Sequence, residues 1–465
     1  MKRYSTLLLL FFVLVGCKDD QEPDIVQEDG VNGWIYTVMK KNYLWQEEIP
    51  EYEKTERTLS ATKYFNSLIS ENEKKGSGTT TSWYSYIEAV TKTQTRVLNN
   101  NGYSYGMQFV LTRIDESINY YARVLYVVPG SPADAAGIKR GMWIMKMDNK
   151  SINATNYTSL FGGSQKELIV YVGRYEDNML NQGYSLTLPA AVEMNESPIH
   201  LYNVMTVGDK NIGYLSYNAF QTGPSGFQDK TWENDLVGAF NYFKSAGVDE
   251  LIVDLRYNGG GYLTTSQLLA SMIAPGHAAN QAYCRITYNS VRSPQYRDYN
   301  FLSSYAGMLN LSRVYFLMGR NTASASEAVF NGLSASGIME TIHVGWKTEG
   351  KNLGSEEYTD SRYDYILHPI VAKIVNKDGN GDYWNGFVPS QASLTYDELT
   401  NRSPLGELGT PEDHVINLAL QDMLPGVFAP QRLSPASLSG TDIPAKDIVC
   451  TSLEERTVQG IRLTE

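Results

Sequence analysis

Cysteine is scarce in this sequence, with three in 465 residues. Three thiols cannot build a disulfide framework or a four-thiolate zinc site. Basic charge is in deficit: 39 Lys and Arg stand against 51 Asp and Glu, a formal net charge of −12. Nucleic-acid binders normally carry a basic face, so the balance argues against nucleic acid as a partner. There are only five histidines. No apolar run is long enough to cross a bilayer. Charged residues make up 19% and hydrophobic residues 42%, which excludes a disordered chain and allows a sizeable core. The length suggests two or three domains at roughly 100–200 residues each. Tyrosine is abundant, with 33 residues, which suits exposed or carbohydrate-rich surroundings but decides nothing alone.

The N-terminus opens with Lys2 and Arg3, then an apolar run from Leu7 to Val15. Such a run is too short for a membrane span and right for a signal-peptide core. It ends Leu14-Val15-Gly16-Cys17, which resembles a bacterial lipoprotein lipobox with Cys17 as the lipidated residue. Cleavage there removes Lys2 and Arg3 and leaves 37 basic against 51 acidic residues, a balance of −14. Lys18-Asp19-Asp20 resembles the acidic surface-export signal of Bacteroidetes-type lipoproteins. The expected layout begins with a signal peptide over 1–16 and a tether over 17–33. Cys284 and Cys450 remain, and an oxidising compartment would permit one disulfide between them.

Three patterns follow. Over 34–93, apolar and aromatic residues recur at helical spacing (Trp34, Val38, Tyr43, Tyr64, Leu68), broken by Pro50 and the polar stretch 71–81. This predicts a small helical N-terminal cap. Over 94–190 the pattern is strands: Tyr105–Leu111, Tyr120–Val128 and a restart after Gly141. Between them, Gly130-Ser131-Pro132-Ala133…Ala136-Gly137-Ile138…Gly141-Met142 resembles a PDZ domain of bacterial proteases. That resemblance implies binding of extended C-terminal peptides by strand addition, with Tyr105-Gly106-Met107 as the carboxylate loop. Over 200–430 strands and helices alternate, which predicts a parallel α/β core. The predicted fold class is therefore α/β, multi-domain α+β in sum, with an irregular tail over 431–465.

Three segments of the α/β region can carry chemistry. Asp254-Leu255-Arg256-Tyr257-Asn258-Gly259-Gly260-Gly261 follows a buried strand, and its glycines let backbone amides approach an anion. The spacing is neither a dinucleotide fingerprint nor a phosphate loop. Gly319-Arg320-Asn321-Thr322-Ala323-Ser324-Ala325-Ser326-Glu327 joins a strand to a helix. A serine at a helix N-terminus suits acyl transfer, because oxygen charge develops beside free amides; it equally suits a simple N-cap. Gly345-Trp346-Lys347-Thr348-Glu349-Gly350-Lys351 is a loop with two lysines after the next strand.

In this order the segments resemble the C-terminal processing (tail-specific) peptidases, a serine-peptidase family that often carries a PDZ domain. The resemblance runs from Tyr105 to about Gln421. It implies Ser324 as nucleophile, Lys351 as general base, and an oxyanion hole from the amide of Ala325 and one glycine, taken as Gly260. Two departures stand out. Ser324 and Lys351 are slightly farther apart than in common bacterial members. Ser355 also stands where a lysine-orienting Gln is usual, so the resemblance offers Ser355 as the orienting partner. Free lysine titrates near 10.4, so Lys351 needs burial to bring it to about 7–8. Lys347 is a nearby charge able to depress it further.

Other features are weaker. His200, His277, His343, His368 and His414 sit in no Ser-His-acid motif. Glu327 and Asp254 read as loop-holding or capping carboxylates before acid partners. Asn376–Asp382 echoes a calcium loop but has Phe387 where the bidentate Glu belongs, so a tight turn before a strand at Gly386–Pro389 is expected instead. No metal or cofactor is expected. The reading is a lipid-anchored envelope serine endopeptidase that acts on proteins or peptides; the alternative is a non-catalytic peptide- or glycan-binding lipoprotein scaffold.

Overall fold

The computed structural model describes residues 30–75, 82–90, 103–113, 118–176, 179–427, 447–453 and 461–463. The signal peptide, Cys17 and most of the tether lie outside them. No helix among the described residues is long and apolar enough to cross a membrane.

A five-stranded sheet forms the centre, in the order Ile199–Val207, Lys210–Tyr217, Glu250–Asp254, Arg313–Met318, Glu340–Gly345. The first pair is antiparallel and the others are parallel. Strands buried on both faces need apolar residues throughout, as Glu250-Leu251-Ile252-Val253-Asp254 nearly has. Leu251, Val253 and Phe316 pack with the helices Thr231–Ser245, Leu263–Ile273 and Ala325–Leu333. The alternate residues Ile252, Tyr315 and Leu317 face the helix His414–Met423. The helix Ala325–Leu333 thus starts at the carboxyl end of the strand Arg313–Met318, where α/β sheets commonly place their sites.

A second sheet, Tyr296–Asn300, Ala282–Tyr288, Ile370–Val375, Leu353–Ser355 and Ile461–Arg462, packs beside it. The N-terminal unit has helices Gly30–Asn42 and Ala61–Ser67 and a strand, Tyr86–Ala89, paired with Tyr365–His368. A separate β-rich unit runs Ile448–Thr451, Met107–Thr112, Tyr121–Val127, Trp143–Met147, Leu168–Glu176, Met179–Leu188.

Three expectations change. The region read as an irregular tail supplies two strands, one to each of two sheets. No strand forms at Gly386–Pro389; Phe387 instead exchanges hydrogen bonds with Thr348, so this stretch lines the lysine loop. Cys284 and Cys450 form no disulfide with each other, Cys284 being buried in the main core. The turn after Val375 is organised by Asn376, whose Oδ1 accepts the amides of Asp378 and Asn380. Among the described residues no group of acidic, His or Cys side chains could hold a metal ion.

Candidate active site

The three segments singled out from sequence meet at one place. Asn258 O accepts Ala323 N at 3.2 Å and Ser326 Oγ at 2.9 Å, which joins the glycine turn to the serine loop. Glu349 N donates to Thr322 O at 3.0 Å, which joins the serine loop to the lysine loop. Glu327 then ties the parts together. Its Oε2 accepts the amide of Ser324 at 2.8 Å and the amide of Lys351 at 2.7 Å. Those two contacts on one oxygen hold the two amide nitrogens within about 5.5 Å of each other. Its Oε1 accepts Thr348 Oγ1 at 2.5 Å and Gly350 N at 2.7 Å. Burial pushes the Glu327 carboxyl up, and these four donors oppose that shift. Glu327 is therefore a loop holder, as its position in the first helical turn suggested.

Ser324 has φ +66° and ψ −116°, a conformation that a residue with a side chain rarely adopts. Such strain costs about 1–3 kcal/mol and tends to be kept where function needs it. A strained strand-to-helix turn also exposes the nucleophile's oxygen in α/β-hydrolases. Here Ser324 is fully buried, and its Oγ has no hydrogen-bond partner among the described residues. Ala325 opens the helix, so its amide has no partner within it. Gly260 has φ +114°, and a Cβ there would lie 2.7 Å from Ser324 Cβ. Only glycine lets the turn come this close. The N–H of Gly260 itself donates to Asn258 Oδ1 at 2.9 Å, so in this conformation the residue chosen as an oxyanion donor has its amide engaged.

Lys351 is fully buried, and burial brings its amine down to about 7. Its Nζ lies 4.1 Å from the centroid of the Tyr84 ring. Glu73, Glu349 and Glu327 raise the value and Lys75 lowers it. Lys347, read from sequence as a nearby charge able to depress Lys351 further, is exposed, and the lysine acting on Lys351 is Lys75. Lys75 Nζ donates to Glu349 O at 2.7 Å, and Tyr84 OH donates to Glu349 Oε1 at 2.7 Å. Glu73 is buried and accepts Tyr43 OH, the amides of Tyr84 and Ser85, and Ser85 Oγ. The N-terminal unit thus walls the lysine pocket. Sequence reasoning missed Glu73, Lys75 and Tyr84, and no local motif marks them.

Ser355 ends a short buried strand, its backbone paired with Ile370 and Arg462. Asp254 is not at the nucleophile; it binds Arg256 and accepts Tyr214 OH at 2.8 Å. The histidines serve packing. His343 is buried, held by Trp346 O at 3.0 Å and lowered to about 4 by burial. His368 stacks on Tyr86, while His200 and His414 lie against Tyr126 and Tyr396. His277 bonds Gly337 O.

In the β-rich unit, Tyr105, Gly106 and Met107 lead into the strand Met107–Thr112, which lies between Ile448–Thr451 and Tyr121–Val127. Tyr105 is buried and its OH accepts Ser164 N at 2.8 Å. Gly106 has φ +71°, and a Cβ there would meet Ser131 Cβ at 2.2 Å. Its N–H donates to Ser104 Oγ at 3.0 Å. Arg140 carries this unit to the glycine segment: it bonds Tyr257 OH, Glu398 at 3.0 Å and Asp413 at 2.8 Å.

Comparison with known proteins is consistent with this geometry. The model for peptidase family S41 matches residues 211–388, and that for the S41 N-terminal domain matches residues 30–86. A carboxyl-terminal-processing protease of Picosynechococcus sp. is 23% identical over 333 residues, covering 68% of this chain and 69% of its own length. A Staphylococcus haemolyticus protein assigned as a CtpA-like serine protease is 24% identical over 326 residues. The alignment covers 68% of this chain but only 58% of that relative. A Bacteroides fragilis crystal structure assigned as an S41 protease superposes with a TM-score of 0.71 at 29% identity, covering 84% of this chain and 96% of that one.

Proposed function

Because this chain belongs to peptidase family S41, the serine-type C-terminal processing proteases, we propose that it is an endopeptidase using Ser324 and Lys351 as a dyad. The observation that carries this reading is the buried Glu327 carboxylate, which holds the backbones of both residues on one oxygen. With its amine near 7, Lys351 is substantially neutral at physiological pH and can act as a base. It takes the Ser324 hydroxyl proton as Oγ attacks the peptide carbonyl carbon. The oxyanion forms beside the Ala325 amide and an amide of the Gly259–Gly261 turn. The C–N bond then breaks, and the leaving amine takes the proton from Lys351. Water, deprotonated by the neutral lysine, attacks the acyl-enzyme and frees the acid and Ser324.

Substrates are proteins or peptides. The β-rich unit engages their C-terminal segments at Tyr105, Gly106 and Met107 in the PDZ manner. Cys17 carries a lipid that anchors the protein in the cell envelope, at the outer membrane. The test is hydrolysis of casein by wild type, Ser324→Ala and Lys351→Ala. Both variants should lose activity, and wild-type kcat/KM should rise through about pH 7 and then level off. Retained turnover in either variant refutes the dyad. Absence of acylation of Ser324 by a serine-reactive probe in wild type up to about pH 9 favours the scaffold reading.

A further inference from the structure

Residues 447–453 lie along the free edge of Met107–Thr112, the strand that leaves the Tyr105–Met107 loop. Ile448 pairs with Thr112 and Thr451 with Val110, antiparallel, so the segment runs toward that loop. Asp447 O accepts Arg113 N at 2.8 Å. Ser452 N donates to Phe109 O at 2.9 Å, and Ser452 Oγ accepts Phe109 N at 2.9 Å. An extended peptide added to this edge with its C-terminal end toward the loop would make the same contacts.

Residues 451–453 and 461–463 reach the serine loop, the glycine segment and the strand that follows Lys351. Thr451 Oγ1 donates to Asn321 Oδ1 at 3.0 Å, in the serine loop. Leu453 is buried with Val110, Tyr257 and Leu399. Farther on, Arg462 N donates to Gly261 O at 3.0 Å, and Leu463 N donates to Ser355 O at 3.0 Å. Ile461–Arg462 lies parallel to Leu353–Ser355, just past the lysine. The strands are short, four and two residues, and short edge strands open at low free-energy cost. Ser324, three residues from Asn321 and beside the Gly259–Gly261 turn, is fully buried.

We propose that residues 447–453 and 461–463 occupy the path of the substrate strand, and that an unstructured, extended polypeptide enters by displacing them. A tethered occupant competes at high effective concentration, so it raises the threshold for substrate without blocking the site permanently. The binding step stands independently of hydrolysis; only its consequence at Ser324 rests on the proteolytic reading.

The test uses the full chain carrying Ser324→Ala and a fluorescent peptide with the sequence of residues 447–463. Ser452→Pro removes the amide donated to Phe109, and Arg462→Pro removes the one donated to Gly261. Each should tighten peptide binding about ten-fold by anisotropy. Leu111→Cys sets a thiol opposite Cys450, its cross-strand partner, within reach of a disulfide. Oxidation of that variant should abolish peptide binding, and reductant should restore it. This lock decides the matter even where a proline variant fails to fold. Unchanged binding in the oxidised lock overturns the inference. In the Ser324-intact chain, tighter binding without acylation of Ser324 upholds the occupant and refutes proteolysis. Acylation with binding indifferent to the lock does the reverse.

Discussion

Lys351 and Arg256 are two buried basic side chains in segments that meet at one place, and they meet opposite fates. Arg256 faces carboxylates directly: Asp254 at 2.6 Å, Glu398 at 2.6 Å and Asp413 at 3.3 Å. These partners hold its charge, and Arg140 joins them from the β-rich unit. The Lys351 amine faces the Tyr84 ring, and the acids that act on it, Glu73, Glu349 and Glu327, each accept other donors. Equal burial therefore yields a fixed charge where acids face the cation and a labile proton where acids are already engaged. The first arrangement fastens the β-rich unit to the catalytic core. The second leaves an amine with a lowered titration point.

The sharpest way to break this contrast is Arg256→Met. It leaves Asp254, Glu398 and Asp413 short of a counter-charge, and removing one partner of a buried pair costs about 3–5 kcal/mol. Denaturant unfolding should show a loss of that order. A loss below about 1 kcal/mol would mean that Arg140 alone neutralises the acids and the contrast fails.

Lys351→Met should do the opposite. The folded amine titrates near 7 against 10.5 for the free group, so the unfolded state binds more protons between those values. Wild type therefore carries a penalty that is full below about pH 7 and fades as pH rises toward 10.5. Methionine should stabilise the protein by about 2–4 kcal/mol at pH 7 while abolishing turnover. It should also remove the rise in stability between about pH 7 and pH 10, read from urea midpoints. A destabilised Lys351→Met chain with the pH slope intact would show that the lysine stays charged when folded.

Much of this contrast could be read from sequence on one side only. Asp254–Gly261, Ser324–Glu327 and Lys347–Lys351 each follow a strand, and local chemistry marks them as turns. Glu327 was legible as a loop holder because it sits at the third position of a helix capped by Ser324. The pocket wall was not legible. Tyr84, in the N-terminal unit, is far from Lys351 in sequence, and only tertiary packing brings them together. The same holds for Arg140 on Glu398 and Asp413. The strands at Ile448–Thr451 and Ile461–Arg462 are too short for a period to show, and their partners are distant. At Gly386–Pro389 an alternating pattern was absent, and the backbone bonds the Thr348 loop instead of a strand.

Glu327→Gln sharpens the contrast from the carboxylate's side. One oxygen becomes an NH2 facing N–H or O–H donors, so at least one of the four contacts is lost. Stability should fall by about 1–3 kcal/mol. Turnover should fall on the order of 100-fold through misplacement of Ser324 against Lys351. A kcat within two-fold of wild type would mean that the two loops hold their places without the clamp.

Tyr84 gives the smallest effect and the finest test. Its ring shields the amine of Lys351, and its hydroxyl holds Glu349. Tyr84→Phe keeps the shield and loses only the bond to Glu349. Tyr84→Leu opens the pocket to water, which favours the charged amine and raises its titration point. The activity profile of Tyr84→Leu should therefore move upward by about one pH unit, with roughly a ten-fold loss at pH 7 that alkaline buffer recovers. Tyr84→Phe should stay within about half a unit of wild type. If both variants lose rate equally at every pH, the ring only positions the loop, and the low titration point of Lys351 comes from the catalytic domain alone.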